Sequence, residues 1–284
     1  MTISVVVPTY CRPESLRRCL AALSEQTRLA DEILVVIREN DTRTENFLKT
    51  IDLGKLRVRA LTVNHPGLVA ALNVGVDAVR GDIVAFTDDD AVPRRDWLER
   101  IERYFESDPH LGGLGGRDLN YHGDMLETGA TKVVGKLRWF GLLLGDHHLG
   151  FGEPREADHF KGVNMSFRKT AIGNVRFDRR LRGTGAQFCC DTGFSLGIKR
   201  KGWKFIYDPE ILVDHYVRER TEETRVHSFD ADLKDVSDAA YNDALTVFEY
   251  FGFFKRLVYI FLVVFHRDQA SSGCRTRFAV YPAT

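Results

Sequence analysis

Short apolar, β-branched runs alternate with amphipathic stretches over the first hundred residues of this chain. The runs lie at residues 3–7, 33–37 and 83–86, residues 56–63 alternate as a weaker strand, and most of these segments are followed by apolar residues at helical spacing. A run that is apolar throughout is typical of a strand covered on both faces, and strands that alternate with helices form parallel sheets. The sequence therefore predicts an α/β fold, a Rossmann-like, mostly parallel twisted sheet with helices on both faces.

The pattern is less regular in the second half. A glycine-rich run at residues 111–116 leads into residues 117–158, where glycine, histidine, aromatic and charged residues show no period. Such a stretch inside a compact domain is typical of a binding loop. Regular structure is predicted again as strands at residues 163–167, 204–207 and 211–213, a helix over about residues 192–201, and a helical C-terminal quarter.

These patterns predict the domain organisation. We expect one domain over residues 1–220, with a regular half at residues 1–115 and a less regular half at residues 116–220. A helical segment at residues 221–284 would follow as a C-terminal extension. The length of 284 residues is sufficient for one large α/β domain with a substantial core.

Composition narrows the class of protein. Lys plus Arg and Asp plus Glu each number 40, so the formal net charge is zero and nothing global favours a nucleic-acid partner. The five cysteines are odd in number and show no CxxC spacing, which favours a reducing cytosol over a secreted disulfide framework. The N-terminus reads as a strand and not as a signal peptide. We expect a cytoplasmic protein, with the inner face of the membrane as the alternative location.

Three consecutive carboxylates, Asp88, Asp89 and Asp90, follow the apolar run at residues 83–86. Ligands bind beyond the carboxyl ends of strands in open α/β sheets, and clustered acids repel one another unless a cation lies among them. Mn²⁺ or Mg²⁺ fits this place because such an ion also binds phosphate oxygens and stabilises a leaving diphosphate. The alternative is a solvated acidic turn in which Asp90 caps the next helix.

Several motifs resemble those of the family 2 glycosyltransferases over about residues 3–216. They are residues 5–10 (Val-Val-Val-Pro-Thr-Tyr) with Arg12 and Pro13, residues 39–41, residues 70–75 (Ala-Ala-Leu-Asn-Val-Gly), residues 86–90 with Pro93, Trp97 and Leu98, residues 161–168 (Lys-Gly-Val-Asn-Met-Ser-Phe-Arg), Asp191, Gly202, Trp203, Asp208, Pro209 and His215. The resemblance implies the glycosyltransferase A fold, a divalent metal and inversion at the anomeric carbon. It also implies a nucleoside-diphosphate-sugar donor, with UDP favoured, and a saccharide, lipid-linked or other hydroxyl acceptor. Residues 1–220 would then be the catalytic domain, with the nucleotide-binding half at residues 1–115 and the acceptor-binding half at residues 116–220.

The same resemblance implies roles for individual residues. Asp191 would be the general base that takes the proton of the acceptor, and Asp90 and His215 would bind the metal. The residues expected on the nucleotide side are Pro8, Thr9, Tyr10, Arg12, Glu39, Asp41, Asn73, Asp88 and Asp89. The residues expected around the sugar and the acceptor are Lys161, Gly162, Asn164 and Cys190.

Chemistry favours the role of Asp191 independently, because inverting transfer needs one base opposite the leaving diphosphate. The alternative is that Asp191 only caps a helix. Two positions depart from the family pattern. Cys190 stands where an acidic residue usually precedes the catalytic aspartate, which bears on the class of acceptor. Residues 39–42 (Glu-Asn-Asp-Thr) replace two aspartates followed by Gly and Ser, which bears on the selectivity for the nucleotide base.

Other segments admit more than one interpretation. The histidines at positions 122, 147, 148 and 159 lack the spacing of a zinc site, so we expect them at the surface or in an acceptor loop. Residues 139–144 would form either a lid on the acceptor side or a buried segment. The apolar residues 257–265 are shorter than the ~20 residues that span a bilayer. They would either make peripheral membrane contact, with Lys255 and Arg256 near anionic headgroups, or pack on the protein.

Two other classes of protein stay open at this point. A sugar-nucleotide pyrophosphorylase would share the α/β start and the metal, but should carry a glycine-rich loop after the first strand, where this chain has none. A non-catalytic nucleotide-sugar binding protein would hold the donor without turnover. A dehydrogenase is disfavoured because no GxGxxG motif follows the first strand.

Overall fold

The computed structural model of this chain describes residues 1–138, 143–217 and 233–265. Its strands are β1 (Ile3–Thr9), β2 (Glu32–Arg38), β3 (Val58–Val63), β4 (Ile83–Phe86), β5 (Ala91–Pro93), β6 (Leu111–His122), β7 (Met125–Leu126), β8 (Lys136–Leu137), β9 (Leu143–Leu144), β10 (Arg155–Glu156), β11 (Met165–Arg168) and β12 (Lys204–Tyr216). Its α-helices are α1 (Pro13–Ser24), α2 (Thr42–Thr50), α3 (Leu68–Ala78), α4 (Trp97–Ser107), α5 (Lys169–Ile172), α6 (Cys190–Lys199), α7 (Leu233–Tyr250) and α8 (Phe253–Phe265).

A ten-stranded sheet organises the described residues, in the order β10-β12-β6-β11-β4-β1-β2-β3, with β5 beside β12 and β7 beside β6. Strand β1 pairs in parallel with β2 and β4, β2 pairs in parallel with β3, and β6 pairs in parallel with β12. Strand β11 runs antiparallel between β4 and β6. The carboxyl ends of β1, β2 and β4 therefore meet at one edge, and the predicted α/β fold is confirmed.

Two hydrophobic clusters cover the two faces of this sheet. Side chains alternate along β1, so that Val6 joins one cluster while Val5 and Val7 join the other. Each of these three side chains is fully buried. The alternation with a period of two, together with cover on both faces, explains why residues 5–7 of β1 are all apolar.

Strand β6 is longer and more regular than the sequence indicated. The expectation that residues 117–158 form one irregular loop is wrong at its start, because the strand continues to His122. Its glycines are required by close packing: a Cβ atom at Gly115 would lie 2.2 Å from Cδ1 of Phe160, and one at Gly112 would lie 2.4 Å from Cβ of Trp203. The hydrophobic pattern of this strand is hidden because neighbouring aromatic rings occupy the space that its own side chains would fill.

Two predicted element boundaries also change. The strands expected at residues 204–207 and 211–213 are one strand, β12, with an irregularity between Asp208 and Leu212. Helix α6 begins at Cys190, two residues before the expected start, so Asp191 lies within its first turn.

The C-terminal helices pack beside α6. A small cluster of Leu196, Val247 and Phe251 joins α6 to α7 and its C-terminal end, and Tyr259 of α8 packs against it. Within the described part of the chain, no helix is both long and apolar enough to cross a membrane. The predicted domain boundary at residue 220, residues 139–142 of the apolar stretch, and residues 266–284 lie outside the described residues.

Candidate active site

Asp88, Asp90 and His215 come together beyond the carboxyl end of β4, where one potential ligand atom from each lies within 4.8 Å of the others. The two carboxylates follow β4 directly. The pairing of β12 with β5, which places His215 opposite Ala91, brings in the imidazole. Two carboxylates and one imidazole suit a divalent ion such as Mn²⁺ or Mg²⁺, whose remaining positions take phosphate oxygens and water. The residues present therefore fit the ion that the sequence predicts.

The turn after β4 is not a solvated helix cap, so that alternative is wrong. Strand β5 follows Asp90 directly, and α4 begins only at Trp97, with Asp96 in its N-cap position. The side chains of Asp89 and Asp90 are only 5% and 11% exposed. These carboxylates are turned into the protein, where each charge needs a partner.

Arg12 supplies positive charge to two of the acids. Its Nη1 atom lies 3.3 Å from Oδ1 of Asp89 and 3.3 Å from Oδ2 of Asp90. The hydroxyl of Thr9 donates a hydrogen bond of 2.7 Å to Oδ2 of Asp89. The loop after β1, which the sequence assigns to the nucleotide side, is thereby tied to the acidic turn after β4.

The positive charge near this turn offsets the burial of Asp90 but not that of Asp88 and Asp89. Burial and the charge of Asp90 raise the pKa of Asp88 to about 6 and that of Asp89 to about 7. Burial acts in the same direction on Asp90, but its hydrogen bond to His215 and the charge of that ring hold the pKa of Asp90 below its usual value. Burial lowers the pKa of His215, yet the carboxylates of Asp118 and Asp90 outweigh it and raise that pKa to about 9. A divalent cation would stabilise such a cluster.

His215 also lies beside Asp118, a buried carboxylate that was not predicted from the sequence. Lys161 forms an ion pair with Oδ2 of Asp118, and its Nζ atom lies 3.4 Å from Oδ1 of Asn120. Burial opposes the charge of Asp118, but Lys161 and His215 outweigh it and hold the pKa of Asp118 far below its usual value. The sequence offered one signal for this residue. Residues Asp118, Leu119 and Asn120 alternate between polar and apolar, which is typical of a strand with Asp118 and Asn120 on one face.

Asp191 lies in the first turn of α6, and both of its carboxylate oxygens accept hydrogen bonds from backbone amides. Oδ2 accepts from Gly162 at 2.9 Å, and Oδ1 accepts from Thr192 at 2.8 Å. Cys189 holds the N-cap position, so Asp191 does not stand where a capping residue would. The amide of Gly162 that binds Oδ2 follows Lys161, which pairs with Asp118 beside His215, so one short segment links the candidate base to the acidic cluster.

Cys190 is buried in the main hydrophobic cluster, where an acidic residue of the family would be expected. Burial, followed by the charge of Asp191, raises the pKa of its thiol well above the usual value. The thiol is therefore neutral and contributes packing, so no second charge stands beside Asp191 at this position. Its assignment to the acceptor side stays a prediction.

Asp41, which was predicted to face the nucleotide base, holds the loop after β1. It is buried at the N-cap of α2, where Oδ1 accepts from the amide of Thr44 at 3.0 Å and Oδ2 accepts from the hydroxyl of Thr44 at 2.6 Å. Oδ2 also accepts from the amide of Cys11, which has a left-handed φ of 55°. This contact fixes the course of the chain between Tyr10 and Arg12.

The other candidates on the nucleotide side differ in exposure. Pro8 is buried in β1, and Glu39 is exposed after β2. Tyr10 is 41% exposed, and the guanidinium of Arg38 lies 5.0 Å from the centre of its ring. An exposed ring beside a cation is suited to contact a nucleotide base.

Two predicted site asparagines are buried and bonded to the chain itself. Asn73 exchanges two hydrogen bonds of 2.9 Å with the backbone of Phe177. Asn164 accepts from the indole of Trp97 at 2.9 Å and donates to two backbone carbonyl oxygens at 3.1 and 2.9 Å. Both side chains therefore fix the positions of neighbouring segments, and a direct contact with donor stays a prediction.

The expectation of surface histidines is wrong for three of the four, while a place in an acceptor loop stays a prediction. His147, His148 and His159 are buried, while the side chain of His122 is 55% exposed. Nε2 of His147 lies 3.0 Å from the carbonyl oxygen of His159, and Nε2 of His148 lies 3.1 Å from Oε1 of Glu127. Among the described residues, these histidines do not join a group of potential metal ligands.

Solved structures share the fold of this chain. The crystal structure of GalNAc-T7 with UDP, GalNAc and Mn²⁺ superposes with a TM-score of 0.64 at 16% identity, over 77% of this chain and 44% of that one. The crystal structure of S. aureus TarS superposes with a TM-score of 0.59 at 15% identity, over 97% of this chain and 46% of that one. The chain spans less than half the length of either structure, and at these identities the likeness shows the fold alone.

The sequence family defines the class of enzyme. The family model for glycosyl transferase family 2 matches residues 4–173. The chain belongs to that family and is a glycosyltransferase. It is 26% identical to the glucosyl-dolichyl phosphate glucuronosyltransferase of Haloferax volcanii over 237 residues, 78% of this chain and 72% of that protein. It is 29% identical to the putative glycosyltransferase EpsH of Bacillus subtilis over 193 residues, 58% of this chain and 55% of that protein.

Proposed function

We propose that this chain is an inverting glycosyltransferase that takes a sugar from a nucleoside-diphosphate donor, with UDP as the favoured nucleotide. The observation that supports it most is the link between Asp191 and the proposed metal site: the amide of Gly162 holds Asp191, and the preceding Lys161 pairs with Asp118 beside His215. One half of the site is suited to a diphosphate and its cation. On the acceptor side, Asp191 is a carboxylate with no ion-pair partner among the described residues.

The residues of this chain support a single displacement. Asp191 accepts the proton of the attacking hydroxyl, whose oxygen then forms a bond to the anomeric carbon from the face opposite the diphosphate. The bond between the anomeric carbon and the diphosphate oxygen breaks, and the electron pair leaves with the nucleoside diphosphate. Asp88, Asp90 and His215 would hold the divalent ion, which supplies charge stabilisation to the leaving diphosphate when bound. Lys161 adds a second positive charge near this position.

The nucleotide would lie across the carboxyl ends of β1 and β2. Tyr10 would stack on the base, since its ring is partly exposed and has a cation at its face. Asp41 would affect binding of the nucleotide base indirectly, by fixing the loop after β1. Its oxygens already accept hydrogen bonds from Cys11 and Thr44. Glu39 and Asn73 would border the same region.

We further propose a lipid-linked acceptor, met at an anionic membrane surface. One face of α8 is apolar and exposed, with side chains at helical spacing: Phe253, Phe254, Leu257, Ile260 and Phe261. Lys255 and Arg256 lie on the same helix, which suits anionic headgroups. On the protein side, Tyr259 packs on the cluster that includes Leu196 of α6, the helix that carries Asp191. The Haloferax relative, whose name includes dolichyl phosphate, supports the same class of acceptor.

Vesicle sedimentation tests the membrane part separately from the chemistry. Wild-type protein should sediment with vesicles that contain phosphatidylglycerol, and the double variant Phe253→Asp with Phe254→Asp should stay in solution. Met125→Asp is a matched control, because Met125 is equally apolar and 75% exposed but lies on β7. Equal sedimentation of the double variant and wild type would overturn the membrane proposal and leave the transferase proposal intact.

Release of nucleoside diphosphate tests the function itself. A panel of nucleotide sugars is incubated with Mn²⁺, with Mg²⁺ and with EDTA, and release is measured for each. We expect slow, metal-dependent release from one donor, which would also identify that donor. Binding of a nucleotide sugar without release under every condition would favour a non-catalytic binding protein instead. A pyrophosphorylase has no support in the loop after β1, which contains no glycine.

A further inference from the structure

Asp118 is a fully buried carboxylate beside the proposed metal site. Asp is almost never fully buried unless it is paired, because removing its charge from water costs several kcal/mol. Its Oδ2 atom pairs with Lys161 and lies 3.8 Å from Nδ1 of His215. Its Oδ1 atom is buried and has no hydrogen-bond partner among the described residues. A carboxylate kept here at this cost is more than a packing residue.

Asn120 completes the contact with His215. Its Nδ2 atom donates to Oε2 of Glu127 at 3.0 Å, which turns its Oδ1 atom towards Nδ1 of His215 at 3.1 Å. An amide oxygen only accepts hydrogen bonds, so Nδ1 must carry the proton. The other nitrogen, Nε2, faces Asp90 at 3.4 Å and is the one left to bind a metal.

The sheet explains why these side chains meet. Strands β6 and β12 pair in parallel, with His215 opposite Asn120 and Val213 opposite Asp118. Asp118 and Asn120 lie two residues apart and therefore project from the same face of β6 as the ring of His215 does from β12. The orientation of the imidazole is thus set by the register of two strands that are about one hundred residues apart in the chain.

We propose that Asp118 is a positioning residue, which together with Asn120 orients His215 towards the divalent ion and holds Lys161 beside it. The inference rests on the metal site of the proposed function and deepens it. Carboxylate and amide partners of a metal-binding histidine commonly fix its tautomer and ring orientation. Asp118 also reaches the other half of the site: Lys161 precedes Gly162, whose amide donates to Asp191. One buried carboxylate therefore ties the metal ligand to the loop that holds the base.

Binding of Mn²⁺ tests this proposal without turnover. Mn²⁺ is titrated with and without UDP and followed by electron paramagnetic resonance, which gives its affinity and its coupling to the imidazole nitrogen of His215. In Asp118→Asn we expect about ten- to one-hundred-fold weaker Mn²⁺ binding and loss of the nitrogen coupling. Asp208→Asn is the matched control: Asp208 is also a buried acid on the β6–β12 pair, but it accepts from Tyr104 at 2.9 Å. It should keep native Mn²⁺ affinity.

The possible results distinguish a failure of the positioning role of Asp118 from a failure of the proposed metal site. Native affinity and native nitrogen coupling in Asp118→Asn would overturn the positioning role. If Asp118→Asn does not fold, Asn120→Ala removes the other partner of Nδ1; it should lose nitrogen coupling, and unchanged coupling would overturn the proposal. No Mn²⁺ binding by wild type, with or without UDP, would instead overturn the metal site of the proposed function, and this inference with it.

Discussion

The amide of Gly162 donates a hydrogen bond of 2.9 Å to Oδ2 of Asp191, across 29 residues of sequence. The amide of Thr192 holds the other oxygen at 2.8 Å. Two backbone donors therefore fix the carboxylate, and its remaining lone pairs are left for a proton. A carboxylate that is held in place with lone pairs left over is suited to accept a proton from a hydroxyl group.

The first prediction concerns the metal. Asp90→Asn removes one anionic ligand but keeps the size of the side chain, so we expect at least about tenfold weaker binding of Mn²⁺ in the presence of UDP. Isothermal titration calorimetry measures this affinity directly. Asp214→Asn is the control, because Asp214 precedes His215 but pairs with Arg94. Equal affinity of Asp90→Asn and wild type would show that the ion, if bound, lies elsewhere.

The second prediction concerns stability in acid. Burial, and then the charge of His159, lower the pKa of His147 to about 3, while an unfolded histidine titrates near 6.5. As pH falls below about 6.5, the unfolded state takes up a proton that the folded state refuses until about pH 3. This residue should therefore lower the free energy of unfolding by about 2 kcal/mol between pH 6.5 and 5.

Urea unfolding across this pH range measures the effect. His147→Gln, whose amide can still donate to the carbonyl of His159, should flatten the loss of stability between pH 6.5 and 5. His122→Gln should leave it unchanged, because His122 is exposed. If the free energy of unfolding of His147→Gln falls between pH 6.5 and 5 as steeply as that of wild type, groups other than His147 dominate the loss of stability in acid.

The third prediction concerns the packing of β6. Gly115→Ala would place a Cβ atom 2.2 Å from Cδ1 of Phe160, which is fully buried and stacks on Phe205 with ring centres 4.9 Å apart. The ring has no free space to move into, so we expect a loss of about 1–3 kcal/mol in the free energy of unfolding. Gly252→Ala meets nothing within 4 Å and should change it by less than about 0.5 kcal/mol. Similar urea unfolding midpoints for Gly115→Ala and Gly252→Ala would contradict the close packing of Gly115 against Phe160.

The parts of the fold that could be predicted from sequence depend on local pattern. Strands β1, β2 and β4 contain continuous apolar runs at residues 5–7, 33–37 and 83–86, and Pro13 begins α1, so these elements were visible in the chain. Strand β6 was not visible, because its glycines leave space for rings that come from Phe160 and Trp203. No local pattern indicates which distant ring will fill such a space.

The candidate site was likewise predictable from sequence only where its residues follow a local pattern. The acids after β4 were visible because a buried strand ends in three carboxylates. Asp118 and Asn120 were missed because their partners, Lys161 and His215, lie on other elements and meet them only through the register of the sheet. The buried state of His147 was missed because its ring is satisfied by a backbone carbonyl oxygen, which sequence does not reveal.

The activity of Asp191→Asn decides whether Asp191 is the catalytic base. The measurement is the rate of nucleoside-diphosphate release, with Mn²⁺, from the donor that the panel identifies. Asp191 would deprotonate attacking water as well as an acceptor hydroxyl, so the acceptor need not be known. We expect a rate at least about one-hundred-fold below wild type, with native donor affinity, while Asp77→Asn, a surface acid paired with Arg176, keeps the native rate. A native rate of release in Asp191→Asn would contradict the assignment of Asp191 as the base.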